Sequence, residues 1–211
     1  MIIVAGFTKL PLTSGHKPDS NPVAEIFYMY FTPRMVQIVA DQYGYPPVIK
    51  MDAPVDEQEY NFIRSTQTFG RCHDITVYAF KNNKIVVNAK HHYPDGLYRA
   101  PSGGLKPGED FHEGVHREMY EETGTKIELV KYILQVNVYF SCGRKLLPWR
   151  THVFTARYIS GRIRPIDIRE IREVKLADLS EFEQYKKIIS GMESGGLSYR
   201  ARLHDEVLRF L

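Results

Sequence analysis

The chain has 211 residues, 43% of them hydrophobic and 25% charged, which is enough for a well-buried globular core and excludes a disordered chain. Its net charge of +3 suits an anionic ligand but is too small and too scattered to argue for duplex binding, and no clear nucleic-acid signal follows from it. Cys72 and Cys142 are its two cysteines, without CxxC or zinc-like His/Cys spacing, so a reduced cytoplasmic setting is expected, with one disulfide between them as the alternative.

In chain order, the opening MIIVAGFTKL has a short apolar run without a basic start or a cleavage-like site. No run reaches the ~20 apolar residues that a membrane span needs, so a soluble chain with no membrane partner is expected. Leu10 to Pro22, rich in Pro, Ser, Gly and Asp, reads as a loop. Glu25 to Phe31 reads as a strand, and Thr32 with Pro33 as the cap and first turn of a helix ending near Gly44. A second short helix follows Asp56. The aromatic cluster Phe27, Tyr28, Tyr30 and Phe31 suits core or dimer-interface packing, against a stacking platform for a base. Residues 1–70 therefore read as an N-terminal extension, an interface or a small subdomain.

From Asp74 the signal is clearer. Ile75 to Phe80 and Lys84 to Ala89 are β-rich runs separated by Lys81-Asn82-Asn83, the pattern of a hairpin. His91 and His92 follow in a loop, where contact with phosphate competes with plain exposure, and Leu97 to Ala100 leads onward. Beyond the next helix, Lys131 to Phe140 and Arg150 to Tyr158 read as long strands joined by the basic turn Cys142-Gly143-Arg144-Lys145. Asp167 to Lys175 is charged with Ile168, Ile171 and Val174 interleaved. Leu179 to Ser190 and Leu197 to Leu211 read as amphipathic helices separated by Ser194-Gly195-Gly196.

The stretch Gly103 to Thr125, GGLKPGEDFHEGVHREMYEETGT, organises the rest. Pro101, Gly103, Gly104, Pro107 and Gly108 punctuate a loop, and Asp110 with Glu113 gives the pattern of a capping box, so a helix is predicted from Phe111 to Thr123 with Gly124 ending it. At about 100° per residue, Phe111, Val115 and Met119 share a stripe, with Glu118 and Glu122 in nearly the same sector and Glu121 beside it. Like charges on a packing face repel and are costly to bury, and a divalent cation resolves that conflict. Hard cations take carboxylate oxygens and substrate phosphates together, which points to phosphate chemistry. A solvated acidic face knitted by Arg117 and Glu121 is the other reading.

This stretch resembles the Nudix box, G-x5-E-x7-R-E-U-x-E-E-x-G-U, with U aliphatic. Gly103, Glu109, Arg117, Glu118, Met119, Glu121, Glu122 and Gly124 all fall where the pattern wants them. Thr125 departs at the last aliphatic position, and Gly114 stands where Ala is common. The resemblance implies an α/β fold, a Nudix-type α/β/α sandwich with a mixed β-sheet carrying the N-terminal extension, and a Nudix domain over residues 71–211 that includes the C-terminal helices. N-terminal additions dimerise some relatives, so a homodimer is one expectation.

The roles the resemblance implies are as follows. Glu118, Glu121, Glu122 and the Ser102 carbonyl hold Mg²⁺, or Mn²⁺ in its place. Arg117 orients the carboxylates, Glu109 braces the loop, Gly103 and Gly104 let the backbone approach metal and phosphate, and Gly124 ends the helix. A metal-activated water attacks a diphosphate linked to another group, with Glu118 or Glu170 as base. Apart from the resemblance, Arg99, Arg144 and Lys145 read either as phosphate-binding cations or as ordinary surface cations, and Trp149 and Tyr139 either as core packing or as stacking on a base. The expected substrate is a small-molecule nucleotide, with ADP-ribose or another nucleoside diphosphate sugar first. The proline that would mark ADP-ribose is missing from its usual place, where Tyr139 and Phe140 stand ahead of Pro148. The alternatives are a nucleotide-sensing module without catalysis and a housecleaning or RNA-decapping pyrophosphohydrolase.

Overall fold

The computed structural model describes residues 31–211. The predicted loop Leu10 to Pro22 lies outside the described residues, as does the predicted strand from Glu25 up to Phe31. Helix α1 (Pro33–Tyr43) starts as expected, with the Thr32 hydroxyl accepting from Met35 N at 3.2 Å. Helix α2 (Glu57–Ser65) follows Asp56, whose carboxylate accepts from Glu59 N at 2.7 Å. Between them lies a strand that the sequence reading missed, β1 (Val48–Pro54). It sits at the sheet edge, its Lys50, Asp52 and Pro54 are exposed or half-exposed, and its partner is far along the chain.

The sheet is mixed and seven-stranded. Strands β2 (His73–Lys81) and β3 (Lys84–Lys90) form the predicted hairpin, and the short β4 (Ser102–Gly103) pairs with β2. Helix α3 (Phe111–Thr123) then leads into β5 (Thr125–Cys142) and β6 (Lys145–Gly161), both longer than the sequence suggested. The charged Asp167 to Lys175 stretch resolves into a turn and β7 (Ile171–Ala177), and helices α4 (Glu181–Ser190) and α5 (Gly195–Val207) close the chain. The strand order is β1-β5-β6-β2-β3-β7, with β1 parallel to β5 and β2 parallel to β6.

Alternation along the strands feeds two cores. Ile75, Val77, Ala79 and Phe154 meet Phe111, Val115 and Met119 of α3 and Val39 and Ala40 of α1. Tyr78, Trp149 and Val153 meet Tyr60 of α2, Phe182 and Tyr185 of α4, and Tyr199 and Leu203 of α5. Helices thus cover both faces of the sheet, the expected α/β/α sandwich.

Helix α5 starts earlier than expected. Gly195 and Gly196, which read as a linker, are its first turn, because the Glu59 carboxylate accepts from their N–H groups at 3.0 and 3.2 Å and from the Ser194 hydroxyl at 2.6 Å. A Cβ at Gly195 would overlap the Pro54 carbonyl, so glycine lets α5 come this close to the end of β1. A second tie fixes α5 to the sheet. The buried Asp74 accepts from Arg200 at 2.7 Å, Trp149 Nε1 at 2.9 Å and the Thr151 hydroxyl at 2.5 Å, and the Tyr199 hydroxyl donates to Thr151 at 2.6 Å.

Burial alone would raise the Asp74 pKa, but Arg200 and the two neutral donors outweigh it and hold the carboxyl at about 2, below its ordinary 3.8. A folded-state pKa below the unfolded one stabilises above the unfolded value and is lost as pH falls through the folded one, here between pH 3.8 and about 2. Asp74→Ala leaves Arg200 without its buried partner and should cost about 3–5 kcal/mol in urea unfolding at pH 7. It should also remove that acid-side fall in stability; a variant with unchanged midpoint and acid sensitivity would show that the pair contributes nothing.

Candidate active site

Helix α3 positions the site because both its ends are fixed. Asp110 accepts from His112 N at 2.8 Å and from Glu113 N at 3.2 Å, and Gly124, at φ 67°, turns the chain back through a bond to the Tyr120 carbonyl. One turn inside, Arg117 gathers the acids around it. Its Nε and Nη2 donate to the two oxygens of Glu109 at 2.7 and 2.8 Å, and Nη1 donates to Glu118 at 2.8 Å and Glu121 at 3.0 Å. Nη2 also donates to the Gly104 carbonyl at 3.1 Å, and Glu109 accepts in turn from Lys106 N at 2.7 Å. The guanidinium therefore ties the helix to the glycine loop, and these bonds hold the Glu109 carboxyl below its usual range.

The three helical acids occupy different surroundings. Glu122 is buried, and its Oε2 accepts from Asn88 Nδ2 at 2.8 Å and from Ser102 N at 3.1 Å. Burial pushes it up to about 7, with Arg99 and Lys90 opposing. Glu118 is also pushed up by burial against the pull of Arg117, whereas Glu121 has a side chain 43% exposed. Gly103 admits Glu118, since a Cβ there would overlap its carboxylate, and a Cβ at Gly104 would fall 2.9 Å from Arg71 Cδ and Nη1. Gly114 is explained by packing: a Cβ would press on Leu105 and on the Glu109 carboxylate that Arg117 holds.

As arranged, no three acid, His or Cys side chains among the described residues stand close enough to hold one ion. The donor chemistry nonetheless fits a hard divalent cation. Glu118 and Glu122 flank the Ser102–Gly103 backbone, and Glu122 is a buried carboxyl whose charged form needs a positive neighbour.

Beside this cluster opens a cleft of about 380 Å³. Ser102, Gly103, Gly104, Glu118 and Glu170 line one end, with Lys90 and Arg99. Lys90 pairs with Glu170, and Arg99 donates to the Ser102 hydroxyl. The lining also takes in Phe62, Ile63 and Thr66, then Arg71, Asp74, Phe140 and Trp149, and Gly196, Tyr199 and Arg200 of α5. Arg144 stands exposed at the β5–β6 turn, outside the lining residues, and Lys145 beside it pairs with Glu57 at 2.9 Å. Tyr139, His91 and His92 also lie outside the lining; His91 bonds the Ile168 carbonyl at 2.8 Å. Sequence reading passed over Asn88, Arg71, Phe62 and Arg200. Asn88 sits inside an ordinary strand pattern, and Arg71 and Arg200 have no spacing relation to the box.

The family model for the NUDIX domain matches residues 67–193. The protein named NAD-capped RNA hydrolase NudC of Chromobacterium violaceum is 32% identical over 85 residues, 40% of this chain and 30% of that protein. Its namesake from Mannheimia succiniciproducens is 32% identical over 118 residues, 53% of this chain and 39% of that protein, so the chain spans well under half the length of these curated relatives. Among solved structures, a UDP-X diphosphatase aligns over 63% of this chain and 71% of that one, with 14% identity and a TM-score of 0.41. With the family match covering more than half of its residues, the chain belongs to the Nudix family.

Proposed function

We propose that the protein is a divalent-cation-dependent pyrophosphohydrolase that splits the diphosphate of a nucleoside diphosphate joined to a second group. The observation that carries this reading is the meeting, at one cleft, of Glu118 and Glu170 with the cations Lys90, Arg99 and Arg71, with Glu122 behind them on the Ser102 N–H. Acids without cations would suit an ion alone, and cations without acids would suit a resting phosphate. Both together suit a phosphate being attacked. ADP-ribose and other nucleoside diphosphate sugars remain in the substrate class, and the names of the two curated relatives bring the NAD-type diphosphate into it.

Glu118, Glu121, Glu122 and the Ser102 carbonyl would hold the cation, Mg²⁺ or Mn²⁺. When bound, it neutralises phosphate oxygens and acidifies water. Arg117 keeps Glu118 and Glu121 in place from behind, while Arg99 and Lys90 face the phosphate side of the cleft. In the reaction, water oxygen attacks one phosphorus, the bridging P–O bond breaks, the second phosphate leaves with the bond electrons, and a glutamate takes the water proton. Glu118 and Glu170 are the two box-side carboxylates lining the cleft.

Product release should be followed with NADH, ADP-ribose, a UDP-sugar, a dinucleoside polyphosphate, a nucleoside triphosphate and NAD-capped RNA, each with Mg²⁺ or Mn²⁺ and with chelator. One preferred, cation-dependent substrate is expected. Tight binding of one compound with no turnover anywhere would move the reading to a nucleotide sensor. Glu122→Gln should fold yet lose turnover by more than the ~10–100-fold typical of an outer partner of a metal, and wild-type rates would remove it from the ligand set. Of Glu118→Gln and Glu170→Gln, the variant lacking the base should lose about 10²–10⁴-fold in kcat and the acidic limb of the pH profile. Both limbs surviving in both variants would exclude the two as bases.

A further inference from the structure

The cleft that Glu118 lines also contains a cation without an acid partner. Among the described residues the Arg71 guanidinium makes no ion pair, and its Nε has no hydrogen-bond partner although it is out of contact with solvent. It lies over the Trp149 ring at 5.7 Å and presses against Gly104. Arg200 is paired with Asp74 and Lys90 with Glu170, while Arg99, whose Nε is likewise without a partner, donates through Nη1 to the Ser102 hydroxyl. An unpaired, partly buried guanidinium at a cleft floor is costly unless a ligand supplies the anion.

Its position says which anion. Glu118 abuts Gly103 and Arg71 abuts Gly104, so an acid and a cation flank consecutive residues of the loop that lines the cleft. A phosphate attacked beside Glu118 would leave its neighbour beside Arg71. Phe62 of α2 lines the same cleft with 65% of its surface exposed, an apolar ring that the described residues leave largely uncovered. Phe62 precedes the stretch matched by the family, residues 67–193, whereas Arg71 lies within it.

We propose that Arg71 and Phe62 form the subsite for the half of the substrate that carries its nucleobase: Arg71 binds the phosphate next to the one attacked, and Phe62 stacks on the base. This rests on the pyrophosphohydrolase reading. It selects nucleoside diphosphate compounds over inorganic pyrophosphate, which can reach Arg71 but has no base for Phe62.

Trp149 is the chain's single tryptophan and touches Arg71, so its fluorescence reports occupancy without turnover. Titrations in chelator with ADP-ribose, ADP and inorganic pyrophosphate should quench or shift that emission, with the nucleotides binding more tightly. Arg71→Met, which keeps the stem over the ring but removes the charge, should weaken all three by about 10–100-fold, the loss of one charge-assisted bond. Arg71→Lys should recover part of it. Phe62→Ala should weaken ADP-ribose and ADP and leave pyrophosphate unchanged. Circular dichroism melts coinciding with wild type identify these as losses of binding. Unchanged affinity in Arg71→Met, or equal weakening of pyrophosphate by Phe62→Ala, overturns the subsite. Because these titrations contain no cation, they read binding apart from catalysis: nucleotide binding here with no turnover once Mg²⁺ or Mn²⁺ is supplied would sink hydrolysis and leave the subsite standing, whereas cation-dependent turnover with an unchanged KM in Arg71→Met would do the reverse.

Discussion

The site depends on one guanidinium. Arg117 bonds the helix acids and the glycine loop at once, through Glu109, Glu118, Glu121 and the Gly104 carbonyl. Its planar fork explains why the position carries arginine: the two parallel bonds to Glu109 consume one edge, and the remaining donors still point at Glu118, Glu121 and the loop. A lysine, a point charge on a flexible stem, could not satisfy that geometry. Half-buried and ringed by acids, the Arg117 charge is held more firmly than usual by its bonds to Glu109 first and Glu118 next.

A second, unrelated ion pair sets the opposite wall. Asp74 and Arg200 fasten α5 to β2, while Glu59 fastens the start of the same helix to α2. Two helices from opposite ends of the chain are thereby locked side by side over one face of the sheet. The box supplies one side of the cleft and these helices the other. Residues of both flanking helices lie outside the stretch that the family model matches, which is where a shared chemistry can acquire a particular substrate.

The box was legible because its signals are local. Asp110, Gly124 and the apolar period fixed α3 to its end residues, and the acids could be placed on its surface from their spacing alone. What lay beyond reach was decided by distant partners. Strand β1 is edged by Pro46, Pro47 and Pro54, alternates charge with apolar residues, and exists because it pairs with Gln135 to Ser141. Arg200 sits in an amphipathic helix like any surface arginine, and only its partner at Asp74, 126 positions earlier, turns it into a tie. Gly195 and Gly196 read as a break because nothing local announces the Glu59 carboxylate that makes them a helix start. Gly114 was legible as a departure, but its reason, the crowding by Leu105 and Glu109, is a packing fact.

The loop between Ser102 and Leu105 shows how these constraints meet. Gly103 has an acid against it and Gly104 a cation, and a side chain at either position would displace one of them. The same loop donates from Ser102 N to Glu122 and accepts at its Gly104 carbonyl from Arg117, so it cannot move aside to make room. Glu118 is held by Arg117 and Arg71 over Trp149, each by its own partner. Acids and cations thus line one cleft without all pairing with each other, the mixture of charge that the proposed binding of a cation and a diphosphate side by side calls for.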